Sequence, residues 1–246
     1  MSALAGERLL EAWDRGTAAP HLERALVLLE AGRPDAAPES LARLGIPARN
    51  RELLRLRWVT FGPVLTGFTA CASCGARLEF SASIPPLLDR LEGVDPGDAV
   101  AWEDGGAAYT LRAVTTDDLR DAVRAADDAD ARRLLLDRCV SCVSVGGVAD
   151  AAEALAVVRE DPLTAARFDR LHEGAEVLCE VICPQCAFAD VVDLDIASFL
   201  WDEVRHAALR LLREVHDLAS AYGWSEAAIA AMSGPRRRAY LELVRA

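Results

Sequence analysis

Cys183-Pro184-Gln185-Cys186 and, earlier in the chain, Cys71-Ala72-Ser73-Cys74 are two Cys-x-x-Cys turns. A turn of this kind points two thiolates at one centre. Two such turns supply the four sulfurs that a tetrahedral zinc site takes. The flanks of the two turns agree as well. A shift of 112 positions (183 − 71) lays Phe80, Ala82 and Ile84 on Val192, Leu194 and Ile196, and Ser81 and Ser83 on Asp193 and Asp195. Both tracts alternate apolar and polar side chains with period two, the pattern of a half-buried strand. Leu88 falls on Leu200. The chain therefore reads as an internal duplication, each copy a knuckle, a strand and a helical tract. Cys71, Cys74, Cys183 and Cys186 are expected to face one another across one structural Zn2+.

The gap between the two turns is 109 residues (183 − 74), against about 15–20 in an ordinary zinc ribbon. The expected ribbon is thus split by a long insertion. A metal clip tolerates this, because loop-closure entropy grows only slowly with loop length. The competing reading is a set of reduced cysteines packed as small hydrophobes.

Composition narrows the function classes. The 246 residues suffice for one large or two small domains. With 52% hydrophobic and 27% charged residues the chain is globular. A net charge of −12 and a pI near 4.8 oppose general binding to nucleic acid or an anionic membrane, which needs a basic face. All 27 basic residues are arginine. Schiff-base chemistry, a P-loop lysine and lysine acid–base catalysis are therefore excluded. Met1 to Leu10 carries Glu7 and Arg8, so no signal peptide is read there. The uncharged run from Trp58 to Ala76 is interrupted by Gly62-Pro63 and Gly67 and is not a membrane span. Seven cysteines, an odd number, point to a reducing, cytoplasmic setting and metal binding rather than disulfides.

In chain order, helices are expected near 5–14, 20–32, 37–44 and 48–59. The last carries Arg49, Arg51, Arg55 and Arg57, read as a solvated basic face. A strand near 64–70 leads into the first knuckle, and 85–106 reads as loop. A strand at 107–114 is followed by Thr115, placed to cap a helix that starts with acidic residues. A helix at 131–137 ends at Cys139-Val140-Ser141-Cys142, a third Cys-x-x-Cys. This pair is assigned to packing. The alternatives are a second metal with Cys179 and His172, replacement of the first knuckle, or a redox pair. The redox reading ranks lowest, because Cys139 follows a helix instead of opening one. Two helical pieces span 150–172. In the strand at 177–182, Cys179 shares the core side with Val177 and Val181.

The longest helix, 197–222, has the stripe Leu200, Val204, Ala208, Leu211, Val215, Leu218 and Tyr222. Arg210–Glu214 and Arg213–Asp217 are expected as pairs on its outer face, and Gly223 as its C-cap. The expected fold class is α+β: mainly helical, with a split four-cysteine zinc ribbon built from two knuckle–strand repeats. The expected organisation is a helical region 1–62, a first repeat 63–138, a helical connector 139–172, and a second repeat with helical arm 173–246.

Catalytic signatures are missing. The four histidines form no zinc-protease spacing, and no nucleophile elbow or phosphate loop is present. Four cysteine ligands would also close the metal shell to substrate.

Two tracts carry a family resemblance. The first is Ile46-Pro47-Ala48-Arg49-Asn50-Arg51-Glu52-Leu53-Leu54-Arg55-Leu56-Arg57, then Thr60-Phe61-Gly62 and the knuckle with Leu78-Glu79-Phe80. The second comprises Phe199-Leu200-Trp201, Leu211 to His216, Ala221-Tyr222-Gly223-Trp224-Ser225-Glu226, and Arg236-Arg237-Arg238-Ala239-Tyr240-Leu241. Together they resemble the phage baseplate hub assembly family, also found in contractile injection systems. Ala72 and Ala187 depart from that family's knuckle, which has Pro and Gly at these places. The resemblance implies a non-enzymatic baseplate component or hub assembly chaperone, cytoplasmic or incorporated in the particle. Its partners would be baseplate, hub or spike proteins, contacted through Arg236, Arg237, Arg238 and Tyr240. The alternative is a zinc-ribbon nucleic-acid-binding regulator, which the net charge opposes.

Overall fold

The structure is a computed structural model that describes residues 1–93, 97, 99–145 and 151–245. Two buried clusters organise it. The first gathers helices α1 (Gly6–Ala18), α2 (Arg24–Gly32), α3 (Pro38–Ala42) and α4 (Ile46–Phe61) with the hairpin β1 (Val64–Ala70) and β2 (Arg77–Ser83) and helix α5 (Ile84–Gly93). To these it adds hairpin β6 (Leu178–Ile182) and β7 (Ala189–Asp193) and helices α10 (Ile196–Tyr222), α11 (Glu226–Ala230) and α12 (Gly234–Arg245). Apart from Ile46, the second cluster is drawn from residues 107–171, between the two hairpins. It is built from β3 (Ala99–Asp104), β4 (Ala107–Arg112), α6 (Thr116–Ala122), α7 (Asp128–Cys139), β5 (Val140–Val145), α8 (Ala151–Glu160) and α9 (Pro162–Leu171).

The fold is thus mixed helix and sheet, with helix dominant. Among the described residues the sheets are antiparallel and small: β1-β2, β3-β4-β5 and β6-β7. The first and last parts of the chain share one core. The insertion is a lobe of its own.

Helix α10 is the axis of the first core. Leu200, Val204, Ala208 and Leu218 are fully buried, and Asp195 caps the helix by accepting from the amides of Ala197 and Ser198 at 3.0 and 3.2 Å. Gly223 ends it at φ 68°, the left-handed conformation of a C-cap. Helix α1 approaches α10 at Gly16, where a Cβ would lie 2.2 Å from the Trp201 ring. The expected outer-face pairs give way to cross-helix ones: Glu214 accepts from Arg237 at 2.8 Å, and Asp217 lies 3.7 Å from Arg245.

Two expectations are corrected. Residues 85–106 are not loop throughout. Pro85 and Pro86 occupy the first turn of α5, where the missing amides cost nothing, and Leu87, Leu88 and Leu91 bury its inner face. Nor is the arginine run of α4 a solvated face: Arg49, Arg51 and Arg57 are 7%, 8% and 4% exposed. Arg57 donates to both carboxylate oxygens of Glu203 at 2.8 and 2.9 Å and to the carbonyls of Gly62 and Val64 at 2.7 and 2.6 Å. One guanidinium therefore fastens the end of α4 to α10 and to the entry of β1, at the Phe61-Gly62 break. Arg49 reaches from α4 to the inserted lobe, donating to Asn50 and to Thr116. Burial pulls its pKa down, while the charge of Asp195 acts to raise it.

The inserted lobe hinges on Asp118. Thr115 and Asp118 form a capping box at the start of α6. The Asp118 carboxylate is 1% exposed and accepts from Arg112 at 2.6 and 3.0 Å, from Arg138 at 2.7 Å and from the Thr115 amide at 2.9 Å. Burial alone would raise its pKa. The Arg112, Thr115 and Arg138 bonds outweigh this and hold it well below the ordinary carboxylate value of 3.8. Because folding lowers this pKa, the stabilisation is complete above about pH 4 and is lost progressively as the pH falls further. Asp118→Asn is expected to cost about 1–2 kcal/mol: it removes the charge and one acceptor oxygen, while Arg112 and Arg138, each 40% exposed, keep water and their other acceptors. Urea titration at pH 7 measures the loss. The gap between variant and native protein should narrow at acid pH.

Candidate metal centre

The two hairpins are built alike, residue for residue. In the first, β1 ends at Ala70 paired with Arg77, the Cys71 amide donates to the Ala76 carbonyl at 2.8 Å, and the Gly75 amide to the Cys71 carbonyl at 2.9 Å. In the second, Ile182 pairs with Ala189, the Cys183 amide donates to Phe188 at 2.9 Å, and the Ala187 amide to Cys183 at 2.9 Å. Each position in the second set is the first plus 112, the shift read from the cysteines. The helices that follow begin at Ile84 and Ile196, again 112 apart and both fully buried. Leu65 and Val177, another such pair, are also fully buried.

The hairpins bring their turns face to face. Cys71 Sγ lies 3.6 Å from Cys186 Sγ, and Cys74 Sγ lies 3.7 Å from Cys183 Sγ. All four sulfurs fall within 4.8 Å of one another. A tetrahedron with metal–sulfur bonds of about 2.3 Å has edges of about 3.8 Å, so the donor set fits. The separations are far beyond the S–S bond of about 2.05 Å. The arrangement is pseudo-symmetric: Cys71 and Cys183, the first of each turn, are buried at 4% and 1%, whereas Cys74 and Cys186 are exposed.

Charge explains why such a cluster could hold a cation. Burial raises the Cys183 pKa, but the amides of Cys186 and Gln185, with the neighbouring sulfurs, bring it down to about 7. Cys74 is pulled down by the Ala76 amide, yet crowding with Cys186, Cys183 and Cys71 pushes it up to about 12. The first thiolate forms easily and the last does not, because each new negative charge meets those already present. A divalent cation removes that conflict.

The other candidate residues lie elsewhere. Cys139 is buried in the second core, where burial raises its pKa to about 11, and Cys179 is buried in the first. Cys142 lies on β5, opposite Tyr109. His172 has both ring nitrogens engaged, Nε2 accepting from the Val114 amide at 2.9 Å and Nδ1 donating to the Phe168 carbonyl at 2.7 Å. Among the described residues, the metal-distance group is the four knuckle cysteines. Of the basic C-terminal set, Arg237 turns inward to Glu214 and to the Met232 carbonyl. Arg236 is exposed, its guanidinium 5.7 Å from the Tyr240 ring centre, and Arg238 is exposed. Tyr240 packs edge-on against Trp224 at 4.9 Å, and Trp224 stacks on Tyr222 at 4.6 Å. Sequence reasoning missed Arg57 and Glu203, which hold the first hairpin against α10; no local pattern links residues so far apart.

Comparison with models of known protein families, with curated proteins and with solved structures returned no match to this chain.

At one equivalent place the two turns hold different residues in the same left-handed backbone. Gly75 has φ 71° and Ala187 has φ 58°, a conformation that costs a residue with a Cβ about 1 kcal/mol. Ala187→Gly should therefore stabilise the protein and Gly75→Ala destabilise it, each by about 1 kcal/mol. Chemical denaturation of the metal-loaded variants checks both signs.

Proposed function

We propose that Cys71, Cys74, Cys183 and Cys186 bind one structural Zn2+ as a split zinc ribbon, and that the protein serves assembly instead of catalysis. The observation that carries this reading is the closed set of four sulfurs at tetrahedral spacing, drawn from two parts of the chain. Zinc favours four thiolates, and a fully ligated ion has no open position for a substrate. Its contribution is folding energy: it staples the two hairpins to each other. Sulfur-only ligation argues against the harder cations magnesium and calcium, which take oxygen.

The assembly role is that of a baseplate component or hub assembly chaperone of a contractile injection system or phage tail-like particle. The arginine-rich α4 with its Phe61-Gly62 break, the knuckles and the α10–α12 tracts support it through their family resemblance. Baseplate, hub or spike proteins would be the partners, with the exposed Arg236 and Arg238 and the half-buried Tyr240 as contacts. Arg237, engaged within the chain, would act by fixing α12 on α10. The protein would work in the cytoplasm or within the particle; among the described residues no helix is long and apolar enough to cross a membrane.

Elemental analysis of the purified protein should find about one zinc per chain. Cys183→Ser should remove the metal and lower stability by several kcal/mol, seen as loss of cooperative thermal unfolding. A chain that folds fully after chelation would refute the structural metal. Fractionating a host lysate by size tests the assembly role separately: migration with tube, sheath or hub proteins supports it, and migration alone or with nucleic acid overturns it.

A further inference from the structure

The duplication supplies an internal control for the surface of each hairpin. Three large apolar side chains are exposed on the second: Ile182 at 72%, Val191 at 53% and Phe188 at 42%. Their equivalents in the first, 112 positions earlier, are Ala70, Glu79 and Ala76. The first hairpin makes the same turn, the same ladder and the same knuckle hydrogen bonds with those smaller or charged residues. The three large groups are therefore not needed to build the knuckle, and leaving them in water has a cost that folding does not explain. The first hairpin exposes two large apolar side chains of its own, Val64 at 53% and Phe68 at 59%, the latter with the Arg77 guanidinium 5.0 Å from its ring centre, but at other positions of the ladder.

Register places Ile182 and Val191 together. Ile182 pairs with Ala189 and Glu180 with Val191, so these four share the outer face of the hairpin, and Phe188 stands at its tip. The β7 edge is open among the described residues, and the Val191 amide is held there by its neighbour Asp190 at 2.8 Å.

Charge identifies what covers this face. Residues 171–204 contain eight acidic residues (Glu173, Glu176, Glu180, Asp190, Asp193, Asp195, Asp202 and Glu203) and no arginine. The equivalent stretch of the first copy, 59–92, holds Glu79, Asp89 and Glu92 against Arg77 and Arg90. The second copy thus differs from the first in two ways at once: three exposed large apolar side chains, all at positions where the first has small or charged ones, and a stretch charge of −8 in place of −1. The stretch stays strongly acidic with Glu203 paired to Arg57 and with Arg90 of α5 set on the Leu178 carbonyl, at the opposite end of β6 from Ile182. A partner that buries Ile182 and Val191 beside Glu180 and Asp193 must be apolar at its centre and basic at its rim.

We propose that the outer face of the β6–β7 hairpin docks a segment of another protein that carries apolar side chains flanked by lysine or arginine. This surface is distinct from the arginine-bearing end of α12, and it stands whether or not the particle is a contractile one.

The test uses the full-length, metal-loaded protein and a fluorescein-labelled synthetic peptide of alternating valine and lysine, followed by fluorescence anisotropy. Saturable binding is expected, weakened by salt. The triple variant Ile182→Ala, Phe188→Ala, Val191→Glu installs residues that the first hairpin already folds with. It should keep its circular dichroism and zinc content and lose at least tenfold in affinity. Its extra negative charge would strengthen mere electrostatic attraction, so a loss reports the apolar contact. Glu180→Lys alone should also weaken binding, without touching the packing. Failure of the native protein to bind, or equal binding by the triple variant, overturns the proposal. Self-association of the native protein that the triple variant lacks also overturns it, and assigns the face to a second copy.

Discussion

Four sulfur atoms confined within 4.8 Å set the terms for the rest of this structure. Held so close, they cannot all be thiolates without a compensating positive charge, and as thiols they have little to bind them together. Both hairpins must nevertheless arrive with their turns aligned. That demand reaches back into the chain through the β1–β2 and β6–β7 ladders to the helices rooted at Ile84 and Ile196. It is met by a core in which α10 packs against the N-terminal helices, and by Arg57, which binds α10 through Glu203 while holding the carbonyls before and within β1. The site is small. The scaffold that aims it is most of the molecule.

The inserted lobe is attached through polar as well as apolar contacts. The Ile46 amide donates to the Val114 carbonyl at 2.8 Å, Asn50 donates to the Ala175 carbonyl at 2.7 Å, and Arg49 donates to Thr116 at 3.2 Å. Three neighbouring residues of one helix thus grip the lobe near both its exits. This explains why polar side chains are buried on α4: they face a second body of the same chain instead of solvent. A buried guanidinium is expensive, and its value here is orientation, since each donor must find one particular acceptor.

The parts legible in the sequence were those governed by local pattern. Period-two alternation beside each knuckle, the Thr115 cap, the Asp161-Pro162 break and the Gly223 stop all lie within a few residues of what they control. The alignment of the two knuckles was also readable, because a duplication repeats its own spacing. The parts not legible depended on distant partners. Arg49, Arg51 and Arg57 look like any solvated charge run until α10 and the inserted lobe close over them. Pro85 and Pro86 look like a loop until Leu87, Leu88 and Leu91 find the first core. Glu214 had a helical neighbour of opposite charge and took Arg237 from α12 instead, a choice set by tertiary packing. The grouping of the first and last parts of the chain in one core was hidden for the same reason.

The distance along the chain between the knuckles has a consequence in time. At a synthesis rate of about 5–20 residues per second, the second turn follows the first from the ribosome after roughly 5–20 s. Through that interval Cys71 and Cys74 are without the two sulfurs that complete their cluster. The inserted lobe, whose buried cluster apart from Ile46 lies within residues 107–171, has that interval in which to fold. By collapsing between the two hairpins it shortens the span that the late Cys183 and Cys186 must close. The insertion that separates the two turns is thus also the part of the chain with a core of its own, complete before the second knuckle is made.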